Sequence, residues 1–524
     1  MTEKGFLCCD PQTVVETKQG KLRGYLADGV YAFHGIRYAQ AKRFQLPQPV
    51  EPWSGVKDAL AYGYVCPLLE QDVPFEEVRV PHRYWPADEN CQYLNIWTTR
   101  LDRKAKMPVM VWLHGGGFFA GSSIEQIAYE GDHLAKYGEV VVVSLNHRLN
   151  ILGYLDLSPL GEKYAGSANA GNADMVAALK WIQENIEMFG GDPGNVTLFG
   201  QSGGGMKVWT LMNTPEADGL FHKGIIQSGV VDGFMEKNTG AEPILSALLQ
   251  ELKLKKEEAE KLESLPYSRL AQAYRKVSPA LSQRGEYIGG TPVADGWYLG
   301  DPREIGFSAH GKTIPVLIGT VFGEFTFNRS IRDREGREAG REQTERLLET
   351  YYGSAAGGLK ELFERAYPGR PLSDLPALDV FFRVPAKDFI EKMARQQGAR
   401  VYSYLFAFDF PFGERCPAWH CAEIPFVFHN TDRIPICSVP GVSERLEEKV
   451  CSAWVSFARH GRPEAAGLPE WPACRPGQEA VMILDETCEV RVNHDNELLE
   501  ALLKTGIRSP FLPDENGKEE ILVH

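Results

Sequence analysis

Residues 195–205 read Asn-Val-Thr-Leu-Phe-Gly-Gln-Ser-Gly-Gly-Gly. A β-branched, apolar run that meets a glycine, a lone serine and three more glycines predicts a strand, a very tight turn and then a helix. The turn would hold Ser202 at its tip in a strained backbone position, with Gly200 and Gly204 two residues to either side. Small residues are required there because a Cβ at either flank would clash as the chain doubles back. A serine held in this way exposes its hydroxyl above the first amides of a helix, and those amides favour developing negative charge. Alone, Gly-x-Ser-x-Gly is a weak signal, and the plain alternative is a capping serine at a strand-to-helix turn. The chemistry that such a serine would perform is attack on a carbonyl. That needs a base, an acid to orient the base, and amide donors for the oxyanion.

The donors are offered by His114-Gly115-Gly116-Gly117-Phe118-Phe119, directly after an apolar run ending at Leu113. Successive glycines let the backbone turn and present bare N–H groups to a ligand. The amide of Gly203, one residue past the serine, is a further donor. In one known order of such a triad the acid follows the serine and the histidine follows the acid. Among the twelve histidines, His34, His82, His133, His147 and His222 precede any candidate acid, and His114 in the glycine loop reads as structural. His310, His460, His494 and His524 sit in polar surroundings and read as solvated surface groups. His420, in Ala418-Trp419-His420-Cys421-Ala422-Glu423-Ile424-Pro425-Phe426, is the first choice of base, and His429 is the runner-up. Glu324 follows the apolar strand Ile314–Ile318 and a turn at 319–323. Asp409, also placed after a strand, is the alternative acid. Taken singly, each of these is more often a surface or capping group, and their order along the chain favours the functional reading.

The elements that must position these residues alternate between strand and helix. Short, continuous apolar runs occur at 107–113, 140–145, 314–318, 401–408 and 481–484. Continuous rather than alternating runs suit strands buried on both faces of a parallel sheet. Met175, Leu179, Ile182, Ile186 and Phe189 repeat at helical spacing, and Gly190-Gly191-Asp192-Pro193 is expected to end that helix. Val14–Thr17 and Lys21–Leu26 read as a strand pair with Gly20 in its turn. The fold class is therefore α/β, a large, mostly parallel central sheet flanked by helices. Residues 1–524 read as one domain with helical insertions near 235–310 and 330–398, placed to roof a pocket at the carboxyl ends of the strands. The first of these opens with an amphipathic helix at Ile244, Leu245, Leu248, Leu249 and Leu252. The charged run 253–263 follows it and reads as a solvated helix face.

Composition narrows the partners. The 524 residues are 43% hydrophobic and 24% charged, enough for a large core. A net charge of −14 argues against nucleic acid, whose phosphates need lysine- and arginine-rich surfaces. No apolar stretch approaches the ~20 residues of a membrane helix, and residues 1–10 lack the apolar core of a signal peptide. The expected location is the cytoplasm, the expected partner is a small molecule, and the expected assembly is a monomer or homodimer. Ten cysteines do not form a disulfide scaffold. Cys416 and Cys421 flank His420 without a second pair at zinc spacing, so no metal is expected there.

The chain resembles the type-B carboxylesterases, the branch of the α/β-hydrolase fold that includes carboxylesterases, cholinesterases and some lipases. Phe33-His34-Gly35-Ile36-Arg37-Tyr38-Ala39 is close to that family's F-x-G-I-P-Y-A, with Arg37 in place of proline. Glu89 to Trp97 resembles its E-D-C-L-Y-L-N-V-W, and Asn146-His147-Arg148-Leu149 resembles its N-Y-R-L. The segment from Ala177 to Gly204 follows the family consensus throughout, and Gln227-Ser228-Gly229 follows as expected. The resemblance implies Ser202 as nucleophile, Glu324 as acid and His420 as base. It implies the amides of Gly116, Gly117 and Gly203 as the oxyanion hole, and Ser228 as a support behind the acid. It also places Cys66 and Cys91 at the family's first disulfide, a bond expected to be absent in a reducing compartment. Three departures stand out. Gly203 replaces the usual alanine, Gln201 replaces the commoner glutamate, and Trp85 is no convincing match to the choline-binding tryptophan. The implied activity is hydrolysis of carboxylic esters through an acyl-enzyme, with neither metal nor organic cofactor. Alternatives are a lipase, a specialised esterase for feruloyl, drug-like or polycarboxylic esters, or an inactive binding protein on the same fold.

Overall fold

A computed structural model describes residues 5–70, 78–332, 337–413 and 415–506. Its frame is a twelve-stranded sheet: β1 (Phe6–Cys8), β2 (Tyr25–Ala27), β3 (Val30–Arg37), β4 (Tyr93–Thr98), β5 (Met107–Leu113), β6 (Val141–Leu145), β7 (Gly191–Gln201), β8 (Lys223–Gln227), β9 (Val316–Val321), β10 (Val401–Phe406), β11 (Ala480–Leu484) and β12 (Glu489–Val492). The spatial order is β1-β2-β3-β4-β6-β5-β7-β8-β9-β10-β11-β12. From β6 to β11 every neighbouring pair is parallel, and the outer pairs are antiparallel. The continuous apolar runs have the expected cause. Val109, Val111, Leu198 and Ile318 point into one core with Met175, Leu179 and Ile182 of helix α1 (Ala170–Asn185). Their sequence neighbours Met110, Trp112, Phe199 and Leu317 point into a second core on the other face, with Val450 and Trp454. Burial on both faces leaves no polar side for alternation to mark.

Chain order and spatial order reverse around β5. The chain passes from β5 to β6 on one side, then returns to β7 on the other. Such a reversal opens a crevice beyond the carboxyl ends of the two strands, because the connections leave in opposite directions. β5 ends at Leu113 and β7 at Gln201, so the glycine loop and Ser202 both enter that crevice.

Three sequence expectations change. Helix α1 ends at Asn185 and a 3-10 turn carries Ile186–Phe189 to Gly190, which takes a left-handed φ of 79°. Gly191 to Pro193 then belong to β7 rather than to the helix stop, since Gly191 pairs with Met107. Likewise Gly319, Thr320 and Val321 continue β9 instead of forming a turn. Gly319 is small because a Cβ there would lie 2.3 Å from the Tyr404 ring of β10. The strand pair forms at Val14–Glu16 and Lys21–Arg23, joined in a small sheet by Val56–Asp58, but the expected second strand ends at Arg23, and Tyr25–Ala27 belongs to the large sheet as β2. The segment 235–310 carries helices Glu242–Leu252 and Tyr267–Ser282, with 256–263 as a 3-10 turn. Among the described residues of 330–398 are helices Arg341–Tyr352, Ala356–Ala366 and Arg383–Ala394. No helix among the described residues is long and apolar enough to cross a membrane.

Candidate active site

Ser202 adopts φ 57° and ψ −125° between β7 and helix α2 (Gly203–Met212). That conformation costs a non-glycine residue about 1–3 kcal/mol, so the surroundings must impose it. They do so by close packing: a Cβ on Gly200 would lie 2.5 Å from the Gly204 carbonyl carbon, and one on Gly204 would lie 1.9 Å from the Leu113 carbonyl oxygen. The Ser202 amide donates to Gln227 O at 2.8 Å, and its carbonyl accepts from Met206 N at 3.1 Å, which starts α2. The flanking glycines therefore serve the role read from the sequence.

The glycine loop lies against that turn. Gly116 and Gly117 take left-handed φ values of 81° and 61°, open to glycine without the Cβ penalty. A Cβ on Gly203 would meet Gly117 N and O at 2.3 Å, so the two backbones touch. The Gly116 carbonyl accepts from Phe119 N and Ala120 N at 3.2 and 3.0 Å. The amide hydrogens of Gly116 and Gly117 have no acceptor among the described residues.

Glu324 and His420 meet across β9 and β10. The Glu324 Oε2 to His420 Nδ1 distance is 2.5 Å. Glu324 Oε1 accepts from the Ser228 hydroxyl at 2.6 Å and from Val321 N at 2.9 Å. A bridge between Glu324 and Trp419, with His420 N donating to Glu324 O at 3.1 Å, fixes the two loops together. Burial pushes the Glu324 carboxyl up to about 8, against the pull of the Ser228 and Val321 hydrogen bonds. Burial pulls His420 down to about 4, against the nearby charges of Glu423 and Asp379. Both directions disfavour a full charge on either partner. With both partners uncharged, the carboxyl and the ring each hold a proton; once the carboxyl is ionised, the one ring proton stands on Nδ1 toward Oε2 and Nε2 is left as an acceptor.

The alternatives read from the sequence lie elsewhere. Asp409 is engaged by Arg370 and, at 2.5 Å, by Arg415. His429 stands 3.3 Å from Glu447 and packs on the Tyr137 ring. His114 is buried with its Nδ1 on Gly115 O at 2.9 Å, as a structural group would be. His494 departs from its surface expectation: its side chain is 7% exposed and faces Asp495, because the polar residues around it build an internal ion network with Arg383. His524 lies outside the described residues. Cys66 and Cys91 are free, buried thiols beside Leu149 and Leu152. No metal-ligand cluster occurs among the described residues.

Several site neighbours were given no role by the sequence reading. The Gln201 amide nitrogen sits 3.2 Å from His420 Nε2, and its oxygen accepts from the Cys421 thiol at 3.2 Å. Phe325 and Phe382 flank the His420 ring at 4.2 and 5.0 Å between centroids. Asp379 and Glu423 are buried nearby, each raised to about 7 by burial and then by Glu324. The available signal for Glu423 was an acidic residue inside an apolar run. Asp379 and Phe382 carried none, since their segment is distant along the chain.

Comparison with known proteins agrees with this frame. The carboxylesterase family model matches residues 11–501. The para-nitrobenzyl esterase of Bacillus subtilis (strain 168) is 34% identical over 497 residues, covering 92% of this chain and 96% of that protein. The phenmedipham hydrolase of Pseudarthrobacter oxydans is 33% identical over 498 residues, covering 91% and 96%. A solved structure of an esterase from Clostridium hathewayi, described as able to hydrolyse aliphatic aromatic polyesters, superposes with a TM-score of 0.93. It is 53% identical and covers 96% of this chain and all of that one. With the sheet reversal, the packed serine turn and similarity over nearly the whole length in agreement, the chain belongs to the carboxylesterase family and is a carboxylic ester hydrolase of the α/β-hydrolase fold.

Proposed function

We propose that the ester is cleaved through an acyl-enzyme on Ser202, with His420 as base, Glu324 as the acid that orients it, and the amides of Gly116, Gly117 and Gly203 as the oxyanion hole. His420 Nε2 takes the Ser202 proton as the serine oxygen attacks the ester carbonyl. The oxyanion rests on the three glycine amides, and His420 returns the proton to the leaving alcohol. Water then repeats the sequence on the acyl-serine. Ser228 steadies Glu324 through its hydroxyl. The observation that carries this reading is the 2.5 Å Glu324–His420 contact in a site shared with a strained serine and two uncommitted glycine amides. The segments 235–310 and 330–398 act in it as insertions of one domain that shape the substrate pocket. In a purified preparation, Ser202→Ala is expected to abolish hydrolysis of p-nitrophenyl acetate while the thermal unfolding midpoint stays near wild type. A variant rate near wild type removes Ser202 from the mechanism.

A second, narrower reading concerns the substrate. Phe119 and Phe325 are large hydrophobic groups left 37% and 38% exposed, one in the glycine loop and one beside His420. Phe119 packs on Phe234, and Phe325 on Phe382. Aromatic walls on both sides favour esters of aromatic acids, in line with the activity described for the 53% identical Clostridium hathewayi esterase. Benzoate and terephthalate esters are expected to give higher kcat/KM than acetate esters of the same alcohol. Equal values would reject the preference.

A further inference from the structure

Lys207 is a fully buried lysine on helix α2, five residues past Ser202. Side chains in a helix lean toward its N-terminus, and the Lys207 ammonium reaches back to the glycine loop. It donates to His114 O at 2.8 Å and to Gly115 O at 3.5 Å, and lies 6.0 Å from the Phe118 ring centroid. The Gly115 carbonyl and the Gly116 N–H belong to one peptide plane. A cation on the carbonyl end therefore fixes that plane and polarises it, so that the N–H at the other end carries more positive charge.

The charged and titratable groups around it leave the ammonium to this task. His114 and His147, at the ends of β5 and β6, stack on one another and are held well below the ordinary imidazole range. Burial is the first cause, and for both the Lys207 charge is the second. Arg148 beyond them is paired with Asp174 at 2.7 Å. Glu125, in the segment after the glycine loop, accepts from Ser122 N at 3.1 Å and attracts Lys207 from a distance. Among the described residues, the loop carbonyls are the hydrogen-bond acceptors of Lys207 and no carboxylate pairs with it directly.

We propose that Lys207 is a positioning residue for ester hydrolysis: its ammonium holds the peptide planes between His114 and Gly116 from behind and strengthens the Gly116 N–H as an oxyanion donor. The proposal rests on the assignment of Gly116 to the oxyanion hole. The charged form is the active one. Burial lowers this ammonium from 10.5 to about 7, so activity is expected to fall on the basic side at a value between those two.

The test is the pH profile of p-nitrophenyl acetate hydrolysis from pH 5 to 10.5 by the wild type, Lys207→Met and Lys207→Arg, with Ser202→Ala alongside. Lys207→Met is expected to lose about 10²-fold in kcat with KM unchanged, the scale of one lost oxyanion donor, and to lose the basic limb. Lys207→Arg keeps its charge over this range and is expected to recover rate and extend the plateau toward pH 10.5. A wild-type profile with no basic limb overturns the proposal. So does Lys207→Met with wild-type kcat, or with the wild-type limb retained. If Lys207→Met does not fold, an unmoved limb in Lys207→Arg overturns it and a raised limb supports it. Retained activity in Ser202→Ala would instead reject the site assignment itself, so the two failures are distinguishable.

Discussion

Gln201 faces the His420 ring with a neutral amide. Its amide lies 3.2 Å from Nε2, where the family more often places a glutamate. A neutral group there gives no help to an imidazolium, and burial already pulls His420 down to about 4. On the proposed mechanism the unprotonated ring is thus available across mildly acidic pH, and the acid limb of kcat/KM is expected between 4 and the ordinary 6.5. Gln201→Glu places a carboxylate against the ring and favours its charged form, typically by about 1–3 pKa units. The acid limb is expected to move upward by about 1 unit or more, read from kcat/KM against pH. A limb that stays in place, or moves down, contradicts this account of the ring's electrostatics.

The element that distinguishes this site is the contact between the glycine loop after β5 and the start of α2. Gly203 lets the two backbones touch where the family usually has alanine, since a Cβ would stand 2.3 Å from Gly117 N and O. Backbone cannot step aside as a flexible side chain can, so an added methyl must push the loop off the helix. Gly203→Ala is expected to lower kcat by at least about 10-fold with little change in KM, short of the roughly 10²–10³ lost with a whole donor. Steady-state kinetics on a short ester measures it. Wild-type kcat in that variant would mean that the loop has slack. The same contact explains why the serine turn was legible early. Gly200, Gly203 and Gly204 each face backbone at under 3 Å, and that demand is written in the sequence as small residues around one serine.

At the scale of the whole molecule, the site concentrates buried carboxyls beside one imidazole. Glu324, Asp379 and Glu423 come from three separate segments and are fully or nearly fully buried. Glu423 accepts from Gln227 at 3.1 Å and is raised from 4.5 to about 7 by burial and by Glu324. A carboxyl with a raised folded pKa binds a proton in the folded chain that the unfolded chain has already released. Its contribution to stability is therefore present below 4.5 and is lost as pH rises toward 7. Glu423→Gln keeps an acceptor for Gln227 and removes the titration. The drop in thermal midpoint between pH 4.5 and 7 is expected to be smaller in this variant than in wild type. An equal drop would place the pH dependence elsewhere.

Much of this protein is determined by sequence alone. The doubly buried strands announce themselves as unbroken apolar runs, because neither face is left for polar residues. The serine turn and the glycine loop are visible because close backbone approach forbids side chains. The order Ser202, Glu324, His420 was visible as well, but its competitors were not eliminated. Asp409 and His429 satisfied the same order, and only the fold paired them with Arg370, Arg415 and Glu447. Whether a carboxylate faces an imidazole or a guanidinium depends on which strands are neighbours, a long-range choice with no local signature. Lys207 is the sharper case. In sequence it is one lysine in an apolar run with no local sign of what its ammonium meets, and tertiary packing turned it inward onto the carbonyls of the glycine loop.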